Sequence, residues 1–207
     1  MKKILTLLCA AAVFYSCEDK KQEGTTAEAG TTSDLNQTTT QPAALTQDEL
    51  VERGKYLVAV GSCNDCHSPK LAPTDKIPPM TPDPSRLLSG HPASDKVPPV
   101  LAGAAKSGWH LFSMDNTVGV GPWGTSFSAN LTPDATGIGN WTIDNFKTAL
   151  RKGKYKGMEN GRTLLPPMPW PNYRNMTDQD LEAIFAYLKS LPPIKNVVPA
   201  PIPPAGA

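Results

Sequence analysis

The stretch Gly61-Ser62-Cys63-Asn64-Asp65-Cys66-His67-Ser68 decides how the rest of the chain is read. The chain holds four cysteines. Cys9 and Cys17 lie in or beside an N-terminal apolar run, which leaves Cys63 and Cys66 as a pair with a histidine directly behind them. A zinc site wants four ligands, and His91 and His110 stand at spacings no usual zinc motif shares. A thioredoxin-like dithiol follows a strand in an α/β pattern, whereas this motif follows a helical one. A disulfide between the two would close a very small ring and leave His67 unexplained. Covalent attachment of one haem c fits all three residues. Two thiols three positions apart reach the two vinyl groups on one porphyrin edge, and the adjacent imidazole is held under the iron. Cys63, Cys66 and His67 are thus the expected cofactor-binding residues, with His67 as a metal ligand.

Three helix starts share one signal around this motif. Leu45-Thr46-Gln47-Asp48-Glu49-Leu50 has Thr46 as cap, Glu49 three residues on, and Leu45 and Leu50 placed as a hydrophobic staple. Trp141-Thr142-Ile143-Asp144-Asn145-Phe146 repeats the pattern with Thr142. Met176-Thr177-Asp178-Gln179-Asp180-Leu181 repeats it with Thr177, and Asp180 as the reciprocating acid. Leu50, Gly54, Leu57, Val58 and Gly61 fall on one side of the first helix. Leu181, Ile184, Phe185, Leu188 and Leu191 do so in the last, and Pro192-Pro193 stops it. Gly54 inside a helix costs up to ~1 kcal/mol relative to Ala. A close crossing by the last helix, through Tyr187 or Leu188, would account for it.

Between Ser68 and Asn140 the sequence is rich in Pro and Gly and has no sustained period. No strand ladder is evident there, and short helical turns are expected at Pro84–Ser89 and Leu101–Lys106. So long a plain loop is unusual in a compact domain, and packing around a large apolar group such as haem would explain it. Met80, Met114, Met158, Met168, Met176, His91 and His110 are the available second iron ligands. Leu164-Leu165-Pro166-Pro167-Met168-Pro169-Trp170 singles out Met168, because three prolines make a stiff loop able to hold a thioether at a fixed point. Met176 serves as the staple residue of the last helix. A hydrogen-bonded loop histidine is the plain reading of His91 and His110.

The N-terminus reads as an export device. Lys2 and Lys3 precede an apolar run of about 12 residues, Ile4 to Tyr15, and then Ser16-Cys17. That run is well short of the ~20 residues a membrane-spanning helix needs. Residues 1–16 resemble a bacterial lipoprotein signal, which implies that Cys17 becomes the acylated first residue of a membrane-anchored protein facing the periplasm or cell surface. Residues 17–44 are Thr, Gln, Glu, Ala and Gly and read as a disordered tether. The domain is expected over 45–196, with a Pro-rich tail at 197–207. The formal charge of +1 shows no basic stripe, so nucleic acid is not an expected partner.

Further motifs carry a family likeness: Arg53-Gly54-x-Tyr56-Leu57, Leu88-Ser89-Gly90-His91-Pro92, Gly121-Pro122-Trp123-Gly124 and Asn130-Leu131-Thr132-Pro133-Asp134. Thr136-Gly137-Ile138-Gly139-x-Trp141, Pro167-Met168-Pro169-Trp170 and Asp178-x-Asp180-Leu181-x-Ala183-Ile184-x-Ala186-Tyr187-Leu188 extend it. Together they resemble a class I c-type cytochrome. The nearer likeness is to the haem domains in cytochrome subunits of membrane-bound alcohol, aldehyde and gluconate dehydrogenases.

The resemblance implies an all-α class I cytochrome c fold, with a long Pro/Gly-rich insertion between the haem-binding motif and the Met loop. It implies His67 and Met168 as the two axial ligands, and a proline carbonyl accepting the His67 ring N–H, for which Pro78 or Pro79 is placed and Pro69 and Pro73 compete. Trp123, Trp141, Trp170 and Tyr173 could wall the haem, and Arg162 could meet a propionate. The function implied is one-electron transfer, not catalysis, with redox partner proteins such as a dehydrogenase or terminal oxidase. A haem sensor or gas binder with an open or displaceable sixth position is the alternative, and a peroxidase using His91 or His110 is a further one.

Overall fold

The computed structural model describes residues 45–97, 99, 103 and 107–204. The signal at 1–16, the tether at 17–44 with Cys17, and most of the turn expected at Leu101–Lys106 lie outside the described residues. Helix α1 spans Gln47–Val60 and α2 Cys63–His67. Strands β1 (Leu111–Phe112), β2 (Val118–Gly121) and β3 (Gly124–Phe127) follow. Helices α3 (Ile143–Lys152), α4 (Trp170–Tyr173) and α5 (Asp178–Ser190) complete the order.

The three long helices begin where the caps place them. Thr46 and Glu49 form a reciprocal capping box, with Glu49 N–H donating to Thr46 Oγ1 at 3.3 Å and Thr46 N–H to Glu49 Oε2 at 2.8 Å. Thr142 and Asn145 form the second box. At the third start Thr177 Oγ1 accepts from Asp180 N–H at 3.1 Å. The Asp180 carboxylate does not reciprocate, because Arg53 of α1 reaches it from Nε at 2.8 Å. That pair links the first and last helices.

Helices α1 and α5 cross at Gly54. A Cβ there would stand 1.9 Å from the Ala183 carbonyl oxygen and 2.8 Å from Tyr187 Cβ. Only a residue without a side chain admits so close an approach. Around the crossing, Val58, Leu88, Ile138, Phe146, Leu181, Ile184 and Leu188 form the buried core, with Trp141, Met176 and Leu131 packed against it. Leu88, Leu131 and Ile138 come from the region without periodicity, so parts of it belong to the core.

That region also carries strands, contrary to the sequence expectation. β1, β2 and β3 form an antiparallel meander in that order, with Val118 opposite Phe127 and Gly121 opposite Gly124. Their sequences, Leu-Phe, Val-Gly-Val-Gly and Gly-Thr-Ser-Phe, are too short and too rich in glycine for an alternating signal. The expected turn near Pro84 is present as a 3₁₀ turn over Pro84–Arg86. The fold is mostly helical with this small sheet. The described part of the tail, up to residue 204, pairs with the domain at Ile202. Ile202 exchanges two backbone hydrogen bonds with Thr125 of β3, at 2.8 and 3.0 Å. Asn196 Nδ2 donates to the carbonyls of Ser89 and His91 at 2.7 and 2.8 Å.

Candidate functional site

Gly61 closes α1 and Ser62 takes a left-handed backbone conformation, φ 56°. The break lets a second, separate helical turn begin at Cys63. On that turn Cys63 and Cys66 lie one turn apart on one side, both half-buried and both free thiols. Burial pushes the Cys63 thiol up to about 11, and burial likewise raises that of Cys66, with Asp65 adding to both. A redox dithiol needs the opposite shift, toward thiolate. Among the described residues, no three His, Cys, Asp or Glu side chains gather as a metal cluster.

His67 ends the same helix. Its Nδ1 lies 2.8 Å from the carbonyl oxygen of Ala129. A carbonyl accepts only, so Nδ1 carries the proton and donates, and Nε2 keeps its lone pair. Burial also holds the His67 pKa below its ordinary value, against the pull of that carbonyl. A neutral imidazole with its second nitrogen tied back is the form that ligates iron. Two free thiols on one face beside such an imidazole fit covalent haem c.

The acceptor is a correction. A carbonyl of Pro78 or Pro79 was expected, but Pro78 O takes the Thr81 hydroxyl at 2.7 Å. The His67 partner arrives 62 residues later in sequence. The sheet explains the distance, because β3 ends at Phe127 and delivers Ser128-Ala129 to the motif. The segment after Leu88 is laced to both: Gly90 N–H donates to His67 O at 2.8 Å and His91 N–H to Ser128 O at 2.9 Å. Gly90 (φ +77°) leaves no room for a Cβ, which would lie 2.5 Å from Ser128 O.

Lys70 is a residue the sequence reading missed. Its ammonium reaches the carbonyls of Asn64 and Asp65 at 3.0 Å each, that of Asp115 at 3.3 Å, and that of Ser68. Three of these carbonyls belong to the haem motif or the residue after it, so Lys70 caps the negative end of α2. The fourth belongs to the turn between β1 and β2. Burial lowers the Lys70 pKa, with Asp115 and Asp65 opposing.

Met168 is half-buried in the loop before α4, and both flanks of that loop are anchored. Upstream, Ser126 Oγ donates to Pro166 O at 2.6 Å. Downstream, Tyr173 Oη donates to Gly61 O at 2.8 Å, two residues before Cys63. The remaining second-ligand candidates have other surroundings. Met114, Met158 and Met80 are exposed, and Met176 packs on the core. His91 is buried, with Nδ1 2.7 Å from Thr117 Oγ1. His110 is exposed and meets the Trp123 ring edge-on. Arg162 lies over the Tyr155 ring, 4.0 Å from its centre, and donates to Thr163 O. Trp170 packs under Arg174 and over Gly153.

The cytochrome c family pattern matches residues 51–192. The chain is 32% identical over 152 residues to a nicotinate dehydrogenase subunit of Pseudomonas putida, covering 73% of this chain and 9% of that protein. It is 34% identical over 141 residues to the gluconate 2-dehydrogenase cytochrome c subunit of Pantoea cypripedii, covering 68% and 23%. It is 31% identical over 141 residues to the alcohol dehydrogenase (quinone) cytochrome c subunit of Gluconobacter oxydans, covering 68% and 21%. The chain thus spans less than a quarter of the length of these relatives. The fold and motif define a protein built to hold haem c covalently. The chain belongs to the cytochrome c family.

Proposed function

We propose that this chain is a single-haem electron carrier that passes one electron at a time between exported redox partners, one of them a dehydrogenase. Cys63 and Cys66 would hold the haem covalently, and His67 and Met168 would ligate its iron. The observation that carries the reading is the His67 Nδ1–Ala129 O hydrogen bond, which leaves Nε2 to face the metal. When bound, the haem supplies a one-electron Fe(III)/Fe(II) couple, which Met/His ligation shifts toward the reduced form.

The protein's part is positional. Ala129 orients the imidazole and strengthens it as a donor. Cys63 and Cys66 keep the group from leaving an exported protein. With Met168 as a ligand, small molecules would be kept from the iron, which would favour electron exchange over substrate chemistry. Cys17 anchors the chain to a membrane on the periplasmic or outer face, with residues 17–44 as tether to a domain that begins near residue 45. The dehydrogenase assignment draws on the relatives, which are named as dehydrogenase subunits.

One comparison tests the site. Wild type and Met168→Ala are expressed with haem-maturation machinery, stained for covalent haem on denaturing gels, and mixed in ferrous form with carbon monoxide. The expected result is one haem per chain in both proteins, and rapid carbon monoxide binding only in the variant. Rapid binding by wild type would favour the sensor reading instead.

A further inference from the structure

We infer that the small sheet is a brace that positions both axial ligands from one rigid element, with Ser126 and Gly119 as the positioning residues for Met168. The inference rests on Met168 being the second ligand. It goes beyond that reading by assigning a role to an insertion that contributes no ligand of its own.

The sheet touches each ligand's support at a different point. Where β3 ends, the chain runs directly into Ala129, whose carbonyl holds the His67 ring. In the middle of the sheet, Gly119 and Ser126 are direct cross-strand partners, and both face the prolines before Met168. Ser126 Oγ donates to Pro166 O at 2.6 Å. A Cβ on Gly119 would stand 2.6 Å from Pro167 Cδ, so the Pro167 ring sits on the bare backbone of β2. From Ser126 to Ala129 is three residues, at most ~10 Å of extended chain. Two anchors that close on one short strand fix the relative placement of the segments they hold.

The chemistry of the loop makes these contacts matter. Pro166 and Pro167 have no N–H, so carbonyls are the only backbone groups by which a neighbour can hold them. Ser126 supplies the donor. Its hydroxyl is itself oriented, because Trp123 Nε1 donates to Ser126 Oγ at 3.3 Å and so directs the Ser126 proton elsewhere. Ser126 is 8% exposed, so water does not replace this bond freely. A thioether is a neutral ligand on a flexible side chain. Its residence on iron depends on how firmly the backbone before it is held, and loosening Pro166-Pro167 shifts the equilibrium toward the open form.

The test uses the full-length holoprotein with four substitutions: Ser126→Ala, Ser126→Thr, Gly119→Ala and Met168→Ala. The readouts are covalent haem by gel stain, the ferric methionine–iron charge-transfer band, and the rate of carbon monoxide binding to the ferrous protein. Loss of one buried hydrogen bond corresponds to about a fivefold change in an equilibrium. Ser126→Ala is therefore expected to keep its haem, weaken the band and speed carbon monoxide binding about fivefold. Ser126→Thr, which keeps the hydroxyl, returns toward wild type. Gly119→Ala pushes on Pro167 and gives a larger change. If it does not fold, the two Ser126 variants decide the matter. Wild-type spectra and rates in Ser126→Ala, beside a fast-binding Met168→Ala, would overturn the brace and leave the ligand standing. A Met168→Ala protein with wild-type spectrum and rate would instead overturn the ligand assignment beneath it.

Discussion

The Tyr173 hydroxyl donates to the carbonyl of Gly61 across 2.8 Å, and this bond ties the segment after Met168 to the turn that launches the haem motif. A Cβ on Gly61 would lie 3.8 Å from both Cys63 Sγ and the Tyr173 ring. The phenol, the thiol and the turn are therefore immediate neighbours. Burial raises the Tyr173 pKa, which keeps the hydroxyl a donor through the neutral range. Tyr173→Phe removes the bond and keeps the ring. It is expected to cost about 1 kcal/mol, read as a lower urea midpoint with an unchanged slope, while covalent haem content stays the same.

Gly54 sets the contact distance between α1 and α5. A methyl group there meets the Ala183 carbonyl at 1.9 Å, and backbone cannot move aside as a flexible side chain can. Gly54→Ala gains helix propensity of up to ~1 kcal/mol but forces the helices apart. The clash is expected to win, with a net loss of about 2 kcal/mol or more. Thermal unfolding of the holoprotein measures it, and a variant as stable as wild type would show that the crossing tolerates separation.

The sequence makes side-chain chemistry legible where a residue type has one use. Thr46, Thr142 and Thr177 cap the helices they announce, because a hydroxyl before an amphipathic run satisfies free N–H groups. Gly54 announced a helix crossing for the same reason. Cys63, Cys66 and His67 were legible as a haem motif, and the structure adds that they stand on one short helix. Ala129 was illegible because the function lies in its carbonyl, which every residue carries. The sheet was illegible because its strands are two to four residues long and rely on partners, not on their own pattern. Lys70 escaped notice because its work is to bind carbonyls of the motif, which have no sequence signature.

Lys70 leads to an electrochemical prediction. Its ammonium sits among the carbonyls of Asn64, Asp65, Ser68 and Asp115, against the haem motif. A fixed positive charge there favours the less positive iron state. Lys70→Met removes the charge and keeps the length of the stem, so the reduction potential is expected to fall. Lys70→Arg keeps the charge and should restore most of the potential. Loss of the charged hydrogen bonds is also expected to cost about 2 kcal/mol. Redox titration and urea denaturation of the three proteins separate the two effects, since a potential unchanged in Lys70→Met would confine Lys70 to a structural role.

His91 is expected to contribute to the acid side of the stability profile. Its ring is 3% exposed. Nδ1 is assigned as donor to Thr117 Oγ1, because the Thr117 hydroxyl proton is used on Asp115 Oδ2 at 2.8 Å. Among the described residues Nε2 is buried without a hydrogen-bond partner. Burial lowers the His91 pKa, opposed by the charges of Asp115 and Asp95, so the folded state holds the neutral ring. In the unfolded chain the same ring takes a proton near pH 6.5. Below that pH the unfolded state binds more protons, so stability falls as pH drops from about 6.5 toward the lowered folded value. The His91 contribution is complete above that range. His91→Gln leaves no titrating group at this position and is expected to flatten the profile between pH 7 and 5. Urea midpoints at pH 7, 6 and 5 check it. A variant whose midpoint falls as steeply as wild type would assign the acid sensitivity to other groups.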